Sequence, residues 1–134
     1  MADERDLSDI LRTQVDLADA LAGLGREMQR AIVRFDADAI AAITQRQEEL
    51  LVPFHRLEAE RTRLTNGTLP RGEGATGEPD QISSLGAQLR ARGTEILRLT
   101  RMNAVLLERS RRYVRETLNI LTENRTKNLV DERM

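Results

Sequence analysis

The sequence predicts an all-α fold: an antiparallel coiled-coil bundle of three long helices, a hairpin followed by a longer C-terminal helix. Three observations carry that prediction. Apolar residues recur at alternating spacings of three and four over most of the chain, which places their side chains along one side of a helix. Only three aromatic residues occur, Phe35, Phe54 and Tyr113, while Leu, Ala, Arg and Glu dominate, a bias that favours helices over sheets. Two breaks in the spacing divide the 134 residues into three periodic segments, and that length suits a single domain over 1–134.

The first segment predicts a helix over 7–34. Its stripe is Leu7, Ile10, Gln14, Leu17, Leu21, Leu24, Met28, Ala31 and Phe35, with Gln14 the one polar member. Asp6 or Ser8 has the side chain to cap its start, and Asp9 suits the positive end of the helix dipole. Gly23 and Gly25 weaken its middle by about 1 kcal/mol each relative to alanine, so packing must offset that cost or the helix bends there.

At Arg34-Phe35-Asp36 the stripe loses phase, and a second series begins: Ile40, Ile43, Gln47, Leu50, Phe54, Leu57, Arg61 and Leu64. The spacing predicts a helix over 36–64, with Asp36 as N-cap and Asp38 in the first turn. Pro53 removes a backbone donor and crowds the carbonyl four residues earlier. Because the stripe keeps its phase from Leu50 to Leu57, a kink is expected rather than a stop. Residues 65–80 then hold half the glycines and two of the three prolines, the composition of a flexible linker.

A third helix is predicted over 81–122, capped by Asp80. It carries one seam from Ile82 through Leu85, Leu89, Arg92, Ile96, Leu99, Asn103, Leu106, Ser110, Tyr113 and Thr117 to Ile120. A second seam runs beside it: Leu97, Ala104, Leu107, Val114, Leu118 and Leu121. A helix with two seams can contact two neighbours, one in its own bundle and one elsewhere. The stretch 123–134 reads as a polar tail that frays in isolation.

Composition excludes several functions. The formal net charge of −1 gives no bulk attraction for nucleic acid or an anionic membrane. With no cysteine and one histidine, thiolate chemistry and a zinc shell have no ligands, so neither a metal nor another cofactor is expected. His55 stands beside Phe54 without a partner that would mark a nucleophile, and it reads as a partly exposed helix residue; no enzyme is expected. The N-terminus is acidic where a secretory signal would be basic, and no run approaches the roughly 20 apolar residues that cross a bilayer, so a cytoplasmic address without membrane insertion is expected. Arginines cluster on the third helix, but aromatic stacking platforms are missing; complementary charge between packed helices, or a solvated face, explains them better than nucleic-acid binding. Asn103 and Ser110 within the seam fit residues that fix helix register.

The run Arg34-Phe35-Asp36-Ala37-Asp38-Ala39-Ile40, then Gln47-Glu48-Glu49-Leu50-Leu51 and Leu57-Glu58-Ala59-Glu60-Arg61, resembles the second-helix pattern of FlgN-type flagellar export chaperones. Asn103-Ala104-Val105-Leu106-Leu107-Glu108-Arg109-Ser110 and Tyr113-Val114 resemble that family's third helix. The resemblance implies a non-enzymatic cytoplasmic chaperone. Such a protein binds hook-filament junction proteins, prevents their premature assembly and delivers them to the flagellar export gate. It places protein binding in the C-terminal region, at Asn103, Leu106, Leu107, Ser110, Tyr113, Val114, Leu118 and Leu121. Self-association through the second seam stays open, and the rival reading is a homo-oligomeric coiled-coil scaffold or adaptor without an export role.

Overall fold

The computed structural model describes residues 2–65 and 81–133, with side chains described for 7–65 and 81–127. Three helices form it: α1 (Ala2–Val33), α2 (Ala37–Thr65) and α3 (Gln81–Arg133). α1 and α3 run in the same direction and α2 runs against both, as pairs along the bundle show. Asp19 meets Arg92, Gln29 meets Met102 and Phe35 meets Tyr113, whereas Gln14 meets Glu58.

α1 is the spine. Both other helices pack on it, and no Cα of α2 lies within 8 Å of one in α3 among the described residues. The reason lies in a second stripe of α1 beside the expected one. Leu11, Val15, Ala18, Ala22 and Ile32 are buried along with Ile10, Gln14, Leu21, Met28 and Ala31, so the helix has apolar surface for two neighbours. One cluster joins Leu11, Val15 and Ala18 to Leu85 and Leu89, with Phe54 of α2 and Ile96 of α3 packed against it.

Small residues on α1 let α3 approach closely. Gly25 is buried, and a Cβ placed on it would lie 3.1 Å from Cδ1 of Leu99 and 3.2 Å from its Cβ. Just above, the Asn103 side-chain amide donates to the Gly25 carbonyl at 2.9 Å. The expected cost of a glycine here is therefore offset by packing. A Cβ at Gly23, by contrast, would meet nothing within 4 Å.

The α1–α2 turn bears out Asp36 as the cap of α2, because its Oδ1 accepts from the Ala39 backbone N–H at 3.1 Å. The end of α1 is closed by Asp36 N–H donating to Ala31 O (3.0 Å) and Phe35 N–H donating to Ile32 O (3.1 Å), a Schellman arrangement. Its left-handed position, φ 56°, is held by Phe35, where glycine is usual. That conformation costs a non-glycine residue on the order of 1–2 kcal/mol.

Pro53 lies inside α2, and the helix continues through it to Thr65, so the proline does not end it. Three expectations at helix ends are corrected. α1 starts at Ala2, which puts Asp6 and Ser8 inside the helix instead of at its cap. α2 starts one residue after its predicted beginning, since Asp36 caps it from outside. α3 continues from residue 122 to Arg133, because Glu123, Arg125 and Lys127 are good helix formers and no glycine or proline follows Gly93 to stop it. The expected linker lies, apart from Thr65, outside the described residues, as does the Asp80 cap.

Three polar members of the expected stripes, Gln14, Arg61 and Asn103, enter the core. Gln14 is fully buried and donates to Glu58 at 2.9 Å; Arg61, 4% exposed, pairs with the same carboxylate. Burial alone would raise the Glu58 carboxyl, but hydrogen bonds from Arg61 and Gln14, with the positive charge of Arg61, outweigh it and leave the group below the ordinary carboxylate range.

Candidate protein-docking site

With α2 and α3 both on α1 but apart from each other, a trough opens between them. Its floor is Leu21, Gly25, Met28 and Ile32; one wall presents Ile40 and Leu51 of α2, the other Ile96, Leu99 and Leu107 of α3. The cavity holds about 420 Å³ and its lining is predominantly apolar. Ile40 and Leu107 also border a second depression of about 460 Å³, which continues the trough past the turn along Val114 and Leu118.

α3 meets the α1–α2 turn where the rings of Phe35 and Tyr113 lie 5.7 Å apart. Beyond that contact the helix keeps going. Every residue from Arg111 to Lys127 is exposed, and the stretch 114–133 rises a further ~30 Å at the helical rise per residue. Its apolar side chains stay uncovered: Val114 is 43% exposed, Leu118 57% and Leu121 59%. A lone helix of this length is marginal in water, and clustered exposed apolar side chains mark interaction surfaces.

The eight residues expected from sequence divide into three groups. Asn103 is buried and bonded to Gly25, so its amide serves the α1–α3 register even as it borders the trough. Leu107, Val114 and Leu118 lie on the trough side, with Leu121 seven residues beyond Val114 on the same stripe. Leu106, Ser110 and Tyr113 flank a smaller depression with Ile32, Val33 and Phe35; Ser110 borders both sides. Sequence reasoning did not assign Ile40, Leu51, Ile96 or Phe35 to the site. The first three sat in or beside helical stripes and looked like ordinary core, and Phe35 marked only a loss of phase.

Electrostatics divide α3 as well. Where it packs on α1, Arg92 pairs with Asp19, and Arg26 of α1 lies 3.8 Å from Glu95, which also takes Arg98 at 2.8 Å. The complementary charge expected between packed helices is therefore present in this half. Farther along, Arg109, Arg111, Arg112 and Arg115 have no acidic partner among the described residues. His55 is exposed, with its ring edge-on to Phe54. Among the described residues no helix is long and apolar enough to cross a membrane.

Comparison with protein families finds that the profile described as FlgN protein matches residues 1–130, nearly the whole chain. No curated protein and no solved structure gives a significant match.

Proposed function

The chain belongs to the FlgN family of non-enzymatic, cytoplasmic flagellar export chaperones for hook-associated proteins, and on that premise we propose how it handles its clients. It holds hook-filament junction proteins on the C-terminal half of α3, keeps them from assembling early and carries them to the export gate. The observation behind this reading is the uncovered stripe Val114, Leu118 and Leu121 on a helix that has outrun its own bundle.

Burial of such a stripe is the general driving force for capturing a partner segment. Each fully covered leucine contributes about 1.5–3 kcal/mol, and a few central side chains usually carry most of the affinity. Leu107 closes the near end of the stripe, half-buried between trough and overhang, and Leu118 stands in the open. Leu106, Ser110 and Tyr113 offer a separate flank, where a second protein such as the export gate can engage while the client occupies the trough side. A proline-free helix joins the two surfaces rigidly.

Leu118→Ala tests the reading, because its side chain is more than half exposed and its loss should leave folding nearly intact. Size-exclusion chromatography with light scattering should show a defined complex between the wild-type chain and a hook-associated protein. The expected result is at least a tenfold loss of capture in Leu118→Ala at an unchanged melting temperature. Undiminished capture, or a wild-type chain that ignores the client and associates only with itself, would overturn it in favour of a scaffold.

A further inference from the structure

The two helices that pack on α1 are held by different means. Every buried apolar side chain among the described residues belongs to α1 or α3, with Leu85, Leu89 and Leu99 as the contribution of α3. α2 buries one side chain, and it is charged: Arg61. Its apolar residues Ile40, Ile43, Leu50, Phe54 and Leu57 keep part of their surface in water. Hydrophobic attachment scales with the area removed from water, so α1 holds α3 more firmly than α2. α3 adds little support, since no Cα of α2 comes within 8 Å of one in α3 among the described residues.

The polar group that pins α2 is incompletely paired. Glu58 accepts from Gln14 at 2.9 Å and from Arg61, yet Arg61 Nη1 and Gln14 Oε1 have no partner among the described residues. A partly satisfied buried network is costly while the helices are docked, and water reaches both atoms once they part. At its other end α2 is entered through Phe35, whose φ of 56° is strained for a residue with a Cβ. The ring of Phe35 rests on Tyr113, which ties this turn to α3 and makes it a fixed pivot.

We infer that α2 is a detachable arm, which leaves α1 as a unit about the 34–36 turn while α1 and α3 stay paired, with Gln14, Glu58 and Arg61 as its latch. Opening removes one wall of the trough. It also uncovers the stripe of α1 that shares a face with Gln14, namely Ile10, Leu21 and Met28. The chain then has two forms with different apolar surfaces, and whatever binds the uncovered stripe shifts the population toward the open one. Departure of α3 instead would uncover Leu85, Leu89 and Leu99 and break the Asn103 bond to Gly25, so the α1–α3 pair is the part that persists.

Native-state hydrogen exchange of the full chain, followed by NMR in low urea, tests this. Amides over 43–61 should share one urea-promoted opening, at least about a hundredfold more populated than the one that exposes amides over 85–103. Leu99→Ala weakens the α1–α3 pair in the docked and open forms alike. It should speed exchange over 85–103 at least about tenfold and change that over 43–61 by less than about twofold. Glu58→Ala destabilises the docked form alone and should speed both sets by the same factor, about tenfold. One opening common to all three helices, equal acceleration of both sets by Leu99→Ala, or exchange over 43–61 that ignores urea and so reports fraying would overturn the arm. Should Leu99→Ala fail to fold, the comparison of the two sets in the wild-type chain decides by itself. Unchanged exchange over 43–61 in Glu58→Ala would overturn the latch.

Discussion

Gly23 and Gly25 stand two residues apart on one helix, and alanine should stabilise the chain at the first but not at the second. A glycine-to-alanine change inside a helix gains about 1 kcal/mol from helix propensity. At position 23 nothing opposes that gain, because a Cβ there meets no atom within 4 Å. Gly23→Ala should therefore stabilise by about 0.5–1 kcal/mol, which raises the melting temperature by roughly 2–4 °C in a chain of this size. At position 25 the new Cβ presses on Leu99 at 3.1 and 3.2 Å, and Leu99 is only 1% exposed. To make room, α3 must shift by a few tenths of an ångström, loosening the Asn103 bond to the Gly25 carbonyl. Overpacking of this kind costs about 1–3 kcal/mol. After the propensity gain, Gly25→Ala is left neutral or destabilised by up to about 2 kcal/mol. Urea and thermal unfolding followed by far-ultraviolet circular dichroism measures both variants. If the two stabilise equally, Gly25 does not set the α1–α3 spacing, and the close approach described above has another cause.

Two further outcomes concern polar groups in the core and at its edge. Asn103→Leu removes one hydrogen bond worth about 1 kcal/mol but also a buried Oδ1 that has no partner among the described residues, whose cost is about 1–3 kcal/mol; stability in urea should hold or rise, and a loss above about 1 kcal/mol would show that Oδ1 is satisfied. The Glu58 carboxylate, whose proton affinity is lowered by folding, contributes stability that is complete above the ordinary carboxylate range and is lost as pH falls through and below it. Glu58→Gln should flatten that acid limb in unfolding midpoints measured across pH, and an unchanged limb would assign it to other groups.

Much of this architecture was legible in the sequence, and the parts that were not share a physical reason. The break at Arg34-Phe35-Asp36 was readable because a change of stripe phase coincides with a capping aspartate. Gln14, Arg61 and Asn103 were readable as core residues by their position in the apolar series, although their partners, Glu58 and a backbone carbonyl, were not. The role of α1 as common spine escaped notice because its second contact surface uses Ala18, Ala22 and Gly25. Small residues contribute by letting helices approach, which barely registers as hydrophobic periodicity. For the site, the surplus seam on α3 was visible, since Leu107, Val114, Leu118 and Leu121 repeat at helical spacing. Its continuation into a trough was not, because nothing in α2 announces that Ile40 and Leu51 remain partly uncovered. The far end of α3 is less legible, because a polar stretch suggests fraying, whereas charged side chains with high helix propensity can prolong a helix.

The ring contact between Phe35 and Tyr113 gives the molecule an optical handle of its own. The chain holds one tyrosine and no tryptophan, so its near-ultraviolet emission arises from a single fluorophore. That fluorophore sits where the overhang leaves the bundle, with the ring of the turn residue beside it. A ligand lacking tyrosine and tryptophan that reorders this junction should alter that emission without a label.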